Sequence, residues 1–487
     1  MVKSTTVLRC CLFVGLAMGL LLLLPGAWEA EGKTITVDDD GGADYETIQD
    51  AVNAASKGDT ISVWGGVYNE HVVVNKSLSL VGNGRESTTI NSSGSGAVVK
   101  LSADWCNFSG FKITRKSKWD DPGIDIISDS NHIFENSILN NKYGIALSYS
   151  SGCIISNNTM NECGVSLYGS LEHWNSHTIE TSNTVNGKPV HSYKNATGFT
   201  VPLGAGQIIL ANCSGIRVED QNCSNGSIGI VVGHSSNITI SNNTCSENRG
   251  AGILLYSSSD CTLEGNTVEK NHNGIWLRES SDCTILNNSC SENSWAGIYL
   301  SSSSNGTSAN NVCENNYIGI HLTDSSGCTI KNNTCSENSR SGISFWDSSN
   351  CTITNNSCSE NRWTGIWLWN SVNCTITNNK CENNDVGIYF ADSEHCMITD
   401  NSCSNSTVGI ELQDSDHCTI TNNECSENNS WADIYLLDSK DCTIKNNKGS
   451  VEVDYEDDFH DGYFLPGFGA TLALLAFLIS AFVVKKN

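Results

Sequence analysis

Short runs of alternating apolar and polar residues recur through the middle of the chain, and they set its fold class. In Cys-Thr-Ile (Cys283–Ile285, Cys351–Ile353, Cys374–Ile376) the first and third side chains share a face while Thr points away. In Gly-Ile-x-Leu (Gly274–Leu277, Gly297–Leu300, Gly365–Leu368) the Ile and Leu share one. Helical spacing is absent here. The unit Cys-Thr-Ile-x-Asn-Asn begins at Cys283, Cys328, Cys351, Cys374, Cys418 and Cys442, with variants at Cys153, Ile238, Cys261, Gly306 and Cys396. From Ile238 onward successive starts fall 22–24 residues apart, and the slack sits in a turn where Cys-Ser-Glu-Asn shortens to Cys-Glu-Asn at Cys313 and Cys381. Constant strands with a variable turn are the mark of a solenoid. Three short strands per repeat close one coil. The expected fold is all-β, a single-stranded right-handed parallel β-helix with about 22–23 residues per coil and an N-terminal capping helix.

Two columns follow from in-register stacking. The second Asn of each unit is invariant from Asn158 through Asn243, Asn266, Asn288, Asn311, Asn333, Asn356, Asn379, Asn401 and Asn423 to Asn447. Stacking at ~4.8 Å lets such amides bond up the column, and Asn also tolerates a left-handed corner. The cysteines fall largely into two inward columns, where they act as small buried hydrophobes. Of 23, the 21 beyond residue 30 are an odd number, so at least one is unpaired within a monomer. No Cys-x-x-Cys zinc spacing occurs. Only five prolines interrupt the chain, which suits long ladders.

The ends read differently. In 1–30, Lys3 and Arg9 precede an apolar run from Cys10 to Leu24 closed by Pro25-Gly26-Ala27, the form of a signal peptide. An uncleaved membrane helix is the alternative. Residues 449–464 are acidic (Glu452, Asp454, Glu456, Asp457, Asp458, Asp461) and read as a stalk. Residues 465–487 hold an apolar run from Ala470 to Val484 and then Lys485-Lys486, a C-terminal anchor with its lysines on the cytoplasmic side. Pro466-Gly467-Phe468 ahead of that run resembles the PGF-type sorting signal of archaeal surface proteins, which implies cleavage and lipid anchoring. The β-helix thus occupies 31–448, on the extracellular face of the cytoplasmic membrane: capped coils over 31–115, an irregular segment over 116–235, and regular repeats over 236–448.

Near the start, Asp44 is placed to cap a helix running through Ala55, with Tyr45, Ile48, Val52 and Ala55 on one face. Such a helix would cover the open end of the solenoid. The series Tyr45-x-Thr47-Ile48-Gln49-x-Ala51-Val52, Gly58-Asp59-Thr60-Ile61 and Gly66-x-Tyr68-x-Glu70 resembles the opening of pectin-lyase-like β-helix proteins. Asn183-Thr184-Val185-Asn186-Gly187-Lys188-Pro189-Val190, then Gly204–Leu210, is similar to NosD-like β-helix proteins with carbohydrate-binding and sugar-hydrolase (CASH) repeats. That resemblance implies a right-handed β-helix outside the cytoplasmic membrane, with copper delivery for some members and glycan work for others. Copper finds little here: Met160 and Met397 are the methionines beyond the signal, and His173, His177, His191 and His234 are scattered.

The formal charge of −26 argues against nucleic acid as a partner. The pectin methylesterase and pectate-lyase signatures are missing, and Arg217, Arg249, Arg278, Arg340 and Arg362 stand apart, so no catalytic set is recognisable. Outward positions are more informative. Between the inward Ile and Leu of successive coils stand Trp276, Tyr299, His321, Ser344, Trp367, Tyr389, Glu411 and Tyr435, with Trp346 and Trp369 two residues further along their strands than Ser344 and Trp367. Trp276, Tyr299, Trp346, Trp367, Trp369 and Tyr389 are the candidate glycan-binding residues, because aromatic faces bind sugar C–H surfaces. Mutual stacking of those rings is the structural alternative. Beside them runs an acidic column of Glu279, Asp324, Asp347, Asp392, Asp414 and Asp438, interrupted by Ser302 and Asn370. Like charges one coil apart repel, and bound Ca²⁺ is one way to offset this; turn capping with the following Ser is the other reading. The functional expectation is a surface-anchored protein that binds extended polysaccharide. A polysaccharide lyase or glycoside hydrolase, a structural envelope protein, and copper delivery are the alternatives.

Overall fold

The computed structural model describes residues 32–115, 121–425 and 429–454. The expected signal, the C-terminal anchor and most of the acidic stalk lie outside the described residues. Contacts divide the chain into two units. One runs to Ile216 and takes in Gln221–Ser235 and Cys245–Ala251; the other comprises Arg217–Asp220, Ser236–Thr244 and the chain from Gly252 on. Each is an all-β parallel solenoid of the right-handed β-helix type.

The first unit opens with the strand Thr34–Val37 and the helix Ile48–Ala54. The helix begins later than the sequence suggested. Thr47, not Asp44, is its N-cap, accepting from the Asp50 amide at 3.2 Å. Asp44 instead accepts from the Thr36 amide and hydroxyl at 2.9 Å each. Both helix ends are then neutralised from the solenoid. Glu70 takes the Ile48 and Gln49 amides at 2.9 Å, and Lys76 Nζ donates to the carbonyls of Val52, Asn53 and Ala55, as the helix dipole favours. Burial raises the Glu70 carboxyl pKa against the pull of those amides. Ile48, Ala51 and Val52 bury the apolar face against the strands Thr34–Val37, Thr60–Val63 and Val72–Val74.

Three parallel rows follow. One stacks Thr34–Val37, Thr60–Val63, Ser79–Gly82, Asn107–Ser109, His132–Phe134, Ile154–Ser156 and Thr178–Ile179. The chain reverses direction at Asn186-Gly187. Thr184–Val185 and Lys188–Lys194 form an antiparallel hairpin, after which Lys188–Lys194 pairs in parallel with Gln207–Ala211. Asn186 at φ +50° and Gly187 at φ +77° supply the two left-handed residues of a two-residue hairpin turn. The Asn-Gly-Lys-Pro segment is therefore a built turn.

In the second unit the repeats are regular. Asn273–Arg278, Ala296–Ser301, Ile318–Thr323, Ser341–Trp346, Thr364–Trp369, Val386–Ala391, Val408–Gln413 and Ala432–Leu437 make the long-strand face, each pairing in parallel with the next. Val451–Asp454 adds one more strand, so Glu452 and Asp454 of the acidic segment are paired backbone. The Cys-Thr-Ile strands form a second row from Arg217–Glu219 to Thr443–Lys445. The third expected strand shrinks to single bridges in most coils and is a strand only at Lys380–Glu382 and Ser402–Ser404. At the start of most long strands a glycine avoids a clash: a Cβ added to Gly342 would lie 2.7 Å from the carbonyl oxygens of both Cys335 and Gly365, and Asp433 takes this place only in the last of these repeat strands.

The Asn ladder is present. Asn333 donates from Nδ2 to Asn356 Oδ1 at 3.0 Å, Asn356 to Asn379 at 2.9 Å and Asn379 to Asn401 at 3.0 Å, all buried. The left-handed corner, however, falls on the first residue of the pair: Asn355, Asn378 and Asp400 have φ of +54° to +55°, whereas the second Asn is free to bond. Two further ladders accompany it. Asn293, Asn316, Asn338, Asn361 and Asn384 chain their amides in the same way. Ser258, Ser280, Ser303, Ser325, Ser348, Ser371, Ser393, Ser415 and Ser439 pass a bond from each amide to the next hydroxyl at 3.0–3.3 Å. The described cysteines are all free thiols, buried except for the half-buried Cys442.

Candidate functional site

Strand alternation and in-register stacking fix the outward column on the long-strand face of the second unit. Trp276, Tyr299, His321, Ser344, Trp367, Tyr389, Glu411 and Tyr435 are consecutive register partners. Their rings make a nearly continuous chain of contacts. Trp276 stacks on Tyr299 at 5.7 Å and 11°, and Tyr299 on His321 at 5.1 Å and 19°. From there the geometry turns edge-to-face: His321–Trp346 at 5.0 Å, Trp346–Trp367 at 5.3 Å, and Trp346–Trp369 at 6.0 Å and 83°.

The sequence missed a second column, formed by the residue two before each Gly-Ile. There Trp295 stacks on Tyr317 at 5.2 Å, and Trp363 meets Trp367 at 4.6 Å and Tyr389 at 5.9 Å. Arg340 stands between Tyr317 and Trp363 in this column. Its guanidinium lies 5.6, 5.9, 5.2 and 4.9 Å from the ring centres of Tyr317, Trp346, Trp363 and Trp367. The recurrence was in the sequence, but it runs through His272, Trp295, Tyr317, Arg340, Trp363, Asp385 and Thr407 and so does not read as one residue type.

This packing revises the expected aromatic surface. Trp276, Tyr299, Trp346, Trp369 and Tyr389 are half-buried and offer ring area. Trp367 does not, being only 7% exposed beneath Trp346, Trp363 and Arg340. Nor do Trp346, Trp367 and Trp369 form a flat platform, because their contacts are edge-on. The indoles pack on each other first, as their quadrupoles favour.

The acidic column lies at the C-terminal ends of the same strands. Glu279, Asp324, Asp347, Asp392, Asp414 and Asp438, with Ser302 and Asn370, all have φ between +47° and +53°. Each precedes a ladder serine. The column therefore makes left-handed corners, a role Asp and Asn fill at small cost. Several carboxylates already have donors: Asp392 accepts from Trp369 Nε1 at 3.0 Å, Glu279 from Arg278 at 3.3 Å, and Asp347 from Asn370. Asp324, by contrast, is raised by burial and then by the Asp347 charge. Among the described residues no three His, Cys, Asp or Glu side chains converge as metal ligands.

One further group matters electrostatically. Glu411 sits between Tyr389 and Tyr435, and burial, then the charge of Asp385, pushes its carboxyl up to about 7. Tyr389 is raised in turn by burial and by Glu411, and its hydroxyl donates to Gln413 at 2.8 Å.

With this geometry in place, two sequence families match. Residues 318–458 match the right handed beta helix region. Residues 193–341 match the family described as periplasmic copper-binding protein (NosD). No curated protein matches the sequence. Among solved structures, the mannuronan C-5 epimerase AlgE4 A-module of Azotobacter vinelandii is 13% identical, covering 83% of this chain and 91% of that one at a TM-score of 0.35. The periplasmic alginate epimerase AlgG is 14% identical over 84% and 82% at 0.33. The Dettilon tailspike protein is 15% identical over 83% and 63% at 0.29. These are loose likenesses, and neither substrate nor chemistry passes from them to this chain.

The donor set does not fit copper. Met160 is buried, Met397 lies exposed on the strand Met397–Thr399 of the other unit, and His177 is spent on the Cys153 amide at 3.2 Å. Burial pushes the thiols of Cys163 and Cys223 up to about 12.

Proposed function

We propose that the long-strand face of the second unit binds extended polysaccharide. The observation that carries this reading is the run of rings from Trp276 to Tyr389, half-exposed apart from the buried His321 and Trp367 and held side by side over consecutive coils by their own contacts. Rings already fixed by packing lose little entropy when a sugar covers their outer faces. The acidic column borders the same strands, where its remaining acceptor positions face sugar hydroxyls. The sequence of the two ends adds the setting: export by the N-terminal signal, an anchor at the C-terminus, and a surface glycan as partner.

Binding is tested by calorimetry against an array of envelope polysaccharides. Removing the half-exposed rings together (Trp276→Ala, Tyr299→Ala, Trp369→Ala) lowers affinity by roughly 1 kcal/mol per ring, at ~25 cal/mol per Å² of apolar contact. Trp367→Ala instead acts on the fold, costing about 3–5 kcal/mol through the cavity it leaves. A triple variant that stays folded and binds as tightly as the parent overturns the proposal.

One observation favours a second reading. Glu411 is a carboxyl near neutrality beside aromatic rings, as a general acid requires. A lyase or hydrolase acting on this face would run through it. Turnover of a bound glycan that Glu411→Gln abolishes supports that reading, and binding without turnover excludes it.

A further inference from the structure

The cluster around Arg340 is rich in donors and short of acceptors. The guanidinium touches four rings, and Arg340 donates to the Tyr317 hydroxyl at 3.0 Å. That is its only side-chain hydrogen bond, and among the described residues no carboxylate lies within ion-pair reach of it. Arg217, Arg249 and Arg278 each pair with a glutamate, whereas Arg340 is packed among rings. The neighbours deepen the deficit. The indole nitrogens of Trp346 and Trp367 and the hydroxyl of Ser344 are buried without a hydrogen-bond partner, and Trp367 and Ser344 are 7% and 0% exposed. An indole N–H can only donate, and so can a guanidinium. A buried donor left unpaired is costly, and an acceptor oxygen reaching the cluster would offset that cost.

We infer that Arg340, with Trp346, Trp363 and Trp367, forms a seat for an anionic group carried on a sugar ring, a carboxylate or a sulfate ester. The inference rests on the polysaccharide reading of this face and makes the glycan acidic. The guanidinium offers its free edge to two anion oxygens in the fork geometry suited to carboxylate and sulfate. Small re-orientation of the indoles gives their N–H groups an acceptor, while the ring faces hold the sugar. Asp385, two coils further along the column, closes the seat to anions on that side. The acidic corner Asp347 directly follows Trp346, at the opposite end of the strand from Arg340.

The test uses the full chain and one neutral glucan oligosaccharide beside its carboxymethylated and sulfated derivatives, with affinity followed by calorimetry and tryptophan fluorescence. The anionic derivatives should bind on the order of tenfold tighter than the neutral parent, and the preference should shrink as salt rises. Arg340→Gln should bring them down to the neutral affinity, and Arg340→Lys, which keeps the charge and loses the fork, should retain part of the preference. Which derivative binds tighter separates carboxylate from sulfate. Equal binding of all three, or a preference that survives Arg340→Gln, overturns the anionic seat and leaves polysaccharide binding standing. Absence of binding to all three overturns both. If Arg340→Gln does not fold, the salt dependence of the parent and the Arg340→Lys variant decide the matter.

Discussion

At the residue scale, the long-strand face holds two groups whose burial shifts them in opposite senses. Glu411 is raised, so the folded state holds its proton more tightly than the unfolded chain. The associated stability is present below the ordinary carboxyl range and is lost as pH rises to about 7. His321, buried between Tyr299 and Trp346, is lowered to about 4 by burial and then by Arg340. Its contribution runs the other way, present at neutral pH and lost as pH falls below 6.5 towards 4. The two oppose each other in mildly acid solution. Glu411→Gln removes one of them, so the variant should match the parent near pH 4.5 and exceed it at pH 8. Denaturant midpoints across that range check this, and a variant no more stable than the parent at pH 8 refutes the burial of Glu411. The identity and register of these residues were legible in the repeat. Their ionisation was not, since it depends on which rings lie over them.

At the element scale, stability resides in columns more than in strands. Asn356 accepts from Asn333 and donates to Asn379, Ile330 and Thr354, so its amide serves three successive coils. Asn356→Leu strands those partners and should cost ~1–3 kcal/mol, seen as a lower denaturation midpoint. An unchanged midpoint would remove the ladder from the account of stability. The Asn-Asn ladder was readable because one residue never varies. The serine ladder was equally regular (Glu279-Ser280, Asp324-Ser325, Asp347-Ser348), but its acidic neighbour draws the eye as chemistry. Backbone dihedrals make that neighbour a corner. The N-terminal helix was legible in outline, whereas its caps were not, since Glu70 and Lys76 reach it from later coils.

At the scale of the molecule, the proposed placement outside the cell depends on the two ends. Truncation before Pro466 should release the β-helix into the medium, measured by fractionation and immunoblotting. Retention of the truncated protein in the membrane fraction would make the N-terminal segment the anchor. The net charge of −26 keeps the surface soluble and repels generic polyanions. That makes a tenfold preference for an acidic sugar at Arg340 a local effect, distinguishable from bulk attraction.

By itself the sequence determined the coil length, the inward and outward alternation and the Asn column, because each is a periodic property of a chain that stacks on itself in register. Tertiary structure decided what periodicity leaves open. Side chains from adjacent columns compete for the same outer space, and the winner depends on volume and ring orientation. Trp367 is thereby covered while Trp369, two residues on, keeps an exposed face. Arg340, a lone arginine in sequence, becomes the centre of four rings because coils on either side bring Tyr317 and Trp363 to it and its own strand returns Trp346.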